Sequence, residues 1–380
     1  MTSGRGVRSM RDRFFRLLAL VAIAGLVLAA CGSDDAGETP PAASDGGTTE
    51  PVDISGTTLT VSNWDAYMPK SVIKDFEKET GVTVEYAIHT TNEDIMGKLT
   101  GANGTGFDLV FVSGPFIEPL VGLGYAAEID HSQIPNIANL DPEATELAFD
   151  PGNVHSVPYT WGTTGICFRK DLLSETPSSW EAFHTAAPDT EGKMTMLGTD
   201  RWLLQPALLT LGYSVNTTDP AEIEEAKAWT MEAKENLLAF DDTTFYSKLV
   251  SGEASLVQAW DGWCEYGRLE DPKNIDFVIP DEGSDLWVDN MVVMESSENK
   301  AAAHAFIDYI LRPEVGKQIV EFTFYKMPNA EVMSAVDPAV IEGYPTLAIS
   351  PAELFEQEVQ TDLGEEGTIL WTETATEIKA

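Results

Sequence analysis

A chain of 380 residues with 62 acidic and 23 basic side chains has a formal net charge of −39, which argues against nucleic acid and anionic lipid headgroups as partners. Three cysteines without a CxxC pair, and five dispersed histidines, point to no metal site and no bound cofactor. The acidity draws cations from a distance, although salt screens that pull and solubility alone accounts equally well for such a surface.

Residues 1–30 read as an export signal. Arg5, Arg8, Arg11, Arg13 and Arg16 form a basic head, an uncharged apolar run covers residues 17–30, and Leu28-Ala29-Ala30-Cys31-Gly32 closes it. The run is short for a bilayer span, which needs ~20 residues. Leu-Ala-Ala-Cys resembles the bacterial lipobox. That resemblance implies cleavage before Cys31 and a lipid on its thiol, so membrane attachment is expected through acyl chains, more than one of which is needed for firm anchoring. Residues 31–53 are rich in Gly, Ser, Thr, Asp, Pro and Ala and read as a flexible tether. Loss of residues 1–30 leaves 18 basic against 61 acidic side chains.

From residue 54 onward, strand and helix signals alternate. A strand is predicted over residues 57–63, and a helix over 70–79 with Val72, Ile73 and Phe76 on one face and Gly81 as its stop. Next come a strand over 82–86, a helix over 92–99 and a strand over 108–112. This is the βαβαβ order of a parallel sheet flanked by helices. A helix over 202–211 starts behind a possible Asp200 cap. Asp219-Pro220 opens another helix, to about residue 239. Strands are predicted over 255–259 and 276–279, and helices over 300–311 and 314–322. More than three hundred residues exceed one typical core, so two α/β lobes are expected. Cys167 and Cys264 are either a disulfide of an exported protein or two buried thiols.

Three stretches carry a family resemblance. They are Asn63-Trp64-Asp65-Ala66-Tyr67-Met68-Pro69, with the helix ending Phe76-Glu77-Lys78-Glu79-Thr80-Gly81; Phe107-Asp108-Leu109-Val110 leading to Ser113; and Ser156-Val157-Pro158-Tyr159-Thr160-Trp161-Gly162-Thr163. Later stretches agree in order: Leu211-Gly212-Tyr213-Ser214, Trp287-Val288-Asp289, Leu311-Arg312-Pro313-Glu314 and Met327-Pro328-Asn329. Together they resemble the spermidine/putrescine-binding proteins of ABC importers. The resemblance implies a two-lobed α/β fold of the periplasmic-binding-protein type, with the ligand cleft between lobes. Lobe 1 would hold residues 54–162 and 289–328, and lobe 2 residues 163–288 and 329–380. It also implies an extracytoplasmic monomer that takes a polyamine and partners the permease subunits of an ABC transporter.

A polyamine asks for carboxylates at its ammonium groups and aromatic faces along its stem. By the resemblance, Trp64, Tyr67, Ser113, Trp260, Trp287, Asp289, Tyr325 and Gln360 match cleft residues, with Asp65 and Asp261 as neighbouring acids. Trp287 and Asp289 alternate across Val288 and so share one face of an extended segment. Ser113 and Asp261 also suit helix caps. Two departures stand out. Thr199 and Trp202 occupy the family's second acidic pair, and Pro115 replaces a cleft tyrosine. The missing acidic pair implies a diamine of putrescine size, or another compact cation, in preference to spermidine.

The chain has no G-x-S-x-G, no H-E-x-x-H and no P-loop. The stretch from Gly122 to Ala127 mimics a dinucleotide fingerprint but follows a helix-like run. The expectation is a binding protein, not an enzyme. A carrier of another small organic cation or a zwitterion, and a sensory lipoprotein without transport, stay open.

Overall fold

The computed structural model describes residues 52–185 and 193–380; the export signal, Cys31 and nearly all of the tether lie outside the described residues. Ten strands form the sheet framework. They are β1 (Thr58–Asn63), β2 (Thr83–Ile88), β3 (Leu109–Ser113), β4 (Val157–Arg169), β5 (Met194–Met196), β6 (Leu237–Phe240), β7 (Leu256–Trp260), β8 (Ile275–Val278), β9 (Asp285–Val293) and β10 (Glu358–Val359).

The first half follows from local patterning. Leu59 and Val61 bury one face of β1, and Val72 and Phe76 bury one face of the helix Lys70–Thr80. Gly81 ends that helix at φ 73°, where its N–H donates to Glu77 O; only glycine takes this conformation cheaply. Thr91 caps the helix Asn92–Gly101 by accepting from Asp94 N. β2, β1 and β3 are parallel neighbours, as the βαβαβ order requires.

Two strands then link the halves. β9 runs antiparallel to β3 and to β4, and β10 adds parallel to its start. β4 changes partners along its length: Val157 to Thr163 pair with β9, and Thr164 onward with β7 and β8. The second half continues β7–β5–β6, all parallel. A cluster around Trp180, Phe183, Leu204, Leu208 and Trp371 fills its core. Among the described residues no helix is long and apolar enough to cross a membrane.

Three local expectations need correction. The helix expected over 202–211 is two helices, Asp200–Leu203 and Gln205–Leu211, divided at Leu204 ahead of Pro206. Asp200 lies inside the first of these as an ion-pair partner of Lys379 and does not cap it. The helix capped by Asp219 ends at Lys234, and Leu237–Phe240 turns into edge strand β6. Cys167 of β4 and Cys264 of the helix Asp261–Glu270 form a disulfide. The glycines near Gly122 end the helix Ile117–Gly122, so the strand a dinucleotide fingerprint needs in front of it is not there.

Candidate ligand-binding site

β9 presents Asp285, Trp287 and Asp289 on one face, because strand side chains alternate. The neighbouring strand β4 places Gly162 opposite Trp287 and Thr160 opposite Asp289, and β3 places Ser113 opposite Asp289. A Cβ at Gly162 would lie 2.4 Å from Trp287 Cζ2, so glycine is what leaves room for the indole against β4.

Asp289 is 8% exposed. Ser113 Oγ donates to its Oδ1 at 2.6 Å, and the Tyr67 hydroxyl donates to its Oδ2 at 2.6 Å. Asn92 holds Ser113 in turn, donating to its Oγ and accepting from its N–H, each at 3.0 Å. Ser113 therefore orients a carboxylate, and its side chain does not cap the short turn that follows. Burial pushes the Asp289 carboxyl up to about 6, against the two hydroxyl hydrogen bonds that lower it. Among the described residues no basic side chain pairs with it, whereas buried Asp261, Asp241 and Glu265 have Lys326, Lys248 and Arg268.

A chain of aromatic rings packs beside this carboxylate. Trp64 meets Tyr67 at 5.5 Å between centroids, Tyr67 meets Tyr325 at 5.7 Å, and Tyr325 meets Trp287 at 5.0 Å, all edge to face. Gly262 makes room for Tyr325, since a Cβ there would sit 2.5 Å from its ring. The Trp287 indole N–H is buried without an acceptor.

The other expected residues gather around a carboxylate the sequence reading missed. Asp285 is fully buried. Its Oδ1 accepts from Thr164 N at 3.2 Å and Gln205 Nε2 at 2.9 Å; its Oδ2 accepts from Trp202 Nε1 at 2.9 Å and Gln360 Nε2 at 2.7 Å. Burial raises its pKa, and the Thr164 and Trp202 hydrogen bonds oppose the shift. Trp260 packs against Trp202 edge to face at 5.2 Å. Expected residues Gln360 and Trp260 thus join Trp202 at this second centre. The signal for it was present: in Asp285-Leu286-Trp287-Val288-Asp289 the two-residue period that links Trp287 to Asp289 reaches Asp285 as well.

Two expected acids stand apart. Asp261 is fully buried and ion-paired with Lys326 Nζ at 2.8 Å, and it also accepts from Gly262 N, so its charge is already neutralised inside the protein. Asp65 is exposed and accepts from Ala66 N in a tight turn. Neither contacts Asp289. Thr199 donates its N–H to Asp242, and Pro115 is buried in the turn after Ser113.

Two buried carboxylates on one strand face, flanked by aromatic rings, suit a small cation. The family model for bacterial extracellular solute-binding proteins matches residues 71–348. The chain belongs to that family. It is 33% identical over 313 residues to the spermidine/putrescine-binding periplasmic protein of Escherichia coli K12, covering 82% of this chain and 89% of that one. A Listeria monocytogenes structure assigned to a spermidine/putrescine ABC transporter has a TM-score of 0.78 and 30% identity, over 85% of this chain and 99% of that one. The Treponema pallidum lipoprotein Tp0655 has a TM-score of 0.76 and 26% identity over the same shares. The mixed α/β fold of solute-binding proteins expected from the resemblance is the fold of these relatives.

Proposed function

We propose that this protein captures a linear polyamine outside the cytoplasm and presents it to the permease of an ABC importer. Asp289 carries the reading. It is a buried carboxylate aimed by two hydroxyls, with no basic partner among the described residues, beside the rings of Tyr67, Tyr325 and Trp287. An ammonium group supplies the missing counter-charge, and each ring face adds about 0.5–2 kcal/mol of cation–π attraction. The names of the relatives support the same ligand class.

In this reading residues 54–162 and 289–328 form one lobe, and 163–288 and 329–380 the other; the change of β4 partners between Thr163 and Thr164 supports the division. Ligand binding closes the lobes about the β4 and β9 crossings. The mature chain is a monomer tethered by lipid on Cys31. The Treponema pallidum relative is a lipoprotein, and the Cys167–Cys264 disulfide suits an oxidising compartment. The protein binds and releases its ligand without chemistry.

Calorimetric titration with putrescine, spermidine and small amino acids tests the assignment. Saturable binding of an amine in the micromolar range or tighter is expected. Absence of binding by every amine contradicts it. A second reading, a small zwitterion, has one observation in its favour: a ligand carboxylate would give the buried Trp287 N–H an acceptor. Amino acids binding more tightly than either amine would establish it.

A further inference from the structure

Asp285 and Asp289 are separated by four residues on one face of β9, so their Cα atoms lie about 13 Å apart at a strand rise of roughly 3.3 Å per residue. Trp287 lies between them. Three carboxylates are fully buried among the described residues: Asp261, Glu265 and Asp285. The first two have Lys326 and Arg268 as ion-pair partners, and Asp285 has none. Arg201 feels Asp285 through space, but its guanidinium donates to Thr361 O, Val215 O and Asn216 Oδ1. Asp285 is surrounded instead by four neutral N–H donors, from β4, the 200–211 helical stretch and Gln360. A lone buried charge is expensive to maintain and calls for a reason.

Its donors suggest that reason. An ionised carboxylate only accepts hydrogen bonds, so the Gln360 amide presents its N–H to Asp285 and turns its carbonyl oxygen away. That oxygen becomes a neutral acceptor with an anion directly behind it. The Trp202 ring is fixed by the same carboxylate and stands edge-on to Trp260. The neutral Trp202 therefore does not leave this end of the site without negative potential; the charge sits on the strand behind the indole.

We propose that Asp285 is a second, positioning anion of the ligand site, which selects linear amines long enough to place one ammonium at Asp289 and another near Gln360. The inference deepens the polyamine reading and rests on it. An extended putrescine spans about 6 Å between nitrogens and cannot reach both centres, whereas spermidine or an eight-carbon diamine spans about 11 Å. The stem of the longer ligand crosses Trp287. The preference is the reverse of the compact diamine expected from Thr199 and Trp202 alone.

The test is calorimetry on the full-length mature chain with α,ω-diamines of four, six, eight and ten carbons, together with spermidine. Affinity is expected to rise with length to an optimum near eight carbons, at least tenfold above putrescine, and Asp285→Asn should cost the eight-carbon diamine at least tenfold more than it costs putrescine. Putrescine binding as tightly as the longer amines overturns the inference, as does an equal loss at all lengths in Asp285→Asn, which is the mark of a purely structural role. If the variant fails to fold, the wild-type length series decides alone. Failure of every amine to bind overturns this inference together with the polyamine reading; amine binding without a length optimum overturns this inference only.

Discussion

Ser113 and Asp289 sit directly opposite each other across the antiparallel β3–β9 pair, and the serine hydroxyl donates to the carboxylate at 2.6 Å. This hydrogen bond and the one from Tyr67 favour the ionised form, yet burial outweighs them and holds the carboxyl at about 6. Amine binding needs the ionised form. Affinity is expected to be level above about pH 7 and to fall roughly tenfold per unit below pH 6. A profile that stays level down to pH 5 contradicts this. The stability effect has the opposite sense. The folded-state value is raised above the unfolded one, so this group's stabilising contribution is complete at acid pH and is lost as pH rises from about 4 to 6.

Gly162 is the second point of sensitivity. In Gly162→Ala the new methyl would contact both the Trp287 ring and Asp261 Oδ1, at 2.4 and 2.6 Å. The rigid indole must move, because β4 and β9 are paired at this position. The expected result is at least a tenfold loss of amine affinity and a stability cost of about 1–3 kcal/mol. Unchanged affinity and an unchanged thermal midpoint would show that the ring does not depend on this glycine.

The disulfide closes a loop of 97 residues between β4 and the helix that follows β7. Replacing both cysteines by serine is expected to destabilise the folded domain by about 2–5 kcal/mol. Thermal unfolding of wild type with and without reductant should reproduce the shift. Identical midpoints under both conditions would mean that the bond is absent from the protein in solution.

Much of the first half was legible because its signals are local. Leu59 and Val61, then Val72 and Phe76, show their periods within a few residues, and Gly81 marks the stop. β4 shows no period, because every residue from Val157 to Phe168 is buried and both faces are apolar or pinned. The Asp219-Pro220 start was readable, but the helix end at Lys234 was not, since Leu237 and Phe240 continue an apolar pattern that suits either structure. At the site, the Trp287–Asp289 pair was visible from alternation. The neutralisation of Asp261 by Lys326 was not, because the two lie 65 residues apart and meet only through the fold. Asp285 went unnoticed because no family motif includes it, although the strand period did.

Anchoring is a separate question from ligand choice. Cys31→Ser removes the lipid attachment site that the lipobox resemblance implies. The variant is expected in the soluble extracytoplasmic fraction while wild type sediments with membranes. Full retention of the variant on membranes would mean that something other than Cys31 holds the protein there.

The most direct test of the account is a calorimetric titration of Asp289→Asn beside wild type, with spermidine and putrescine at neutral pH. The substitution keeps the side chain's shape and removes the charge that meets the first ammonium. Binding is expected to weaken by about 3 kcal/mol or more, at least a hundredfold. The unliganded thermal midpoint is expected to be no lower than wild type, since ionised Asp289 costs stability at this pH. Wild-type affinity for both amines in Asp289→Asn would contradict the central claim that this carboxylate receives the ligand.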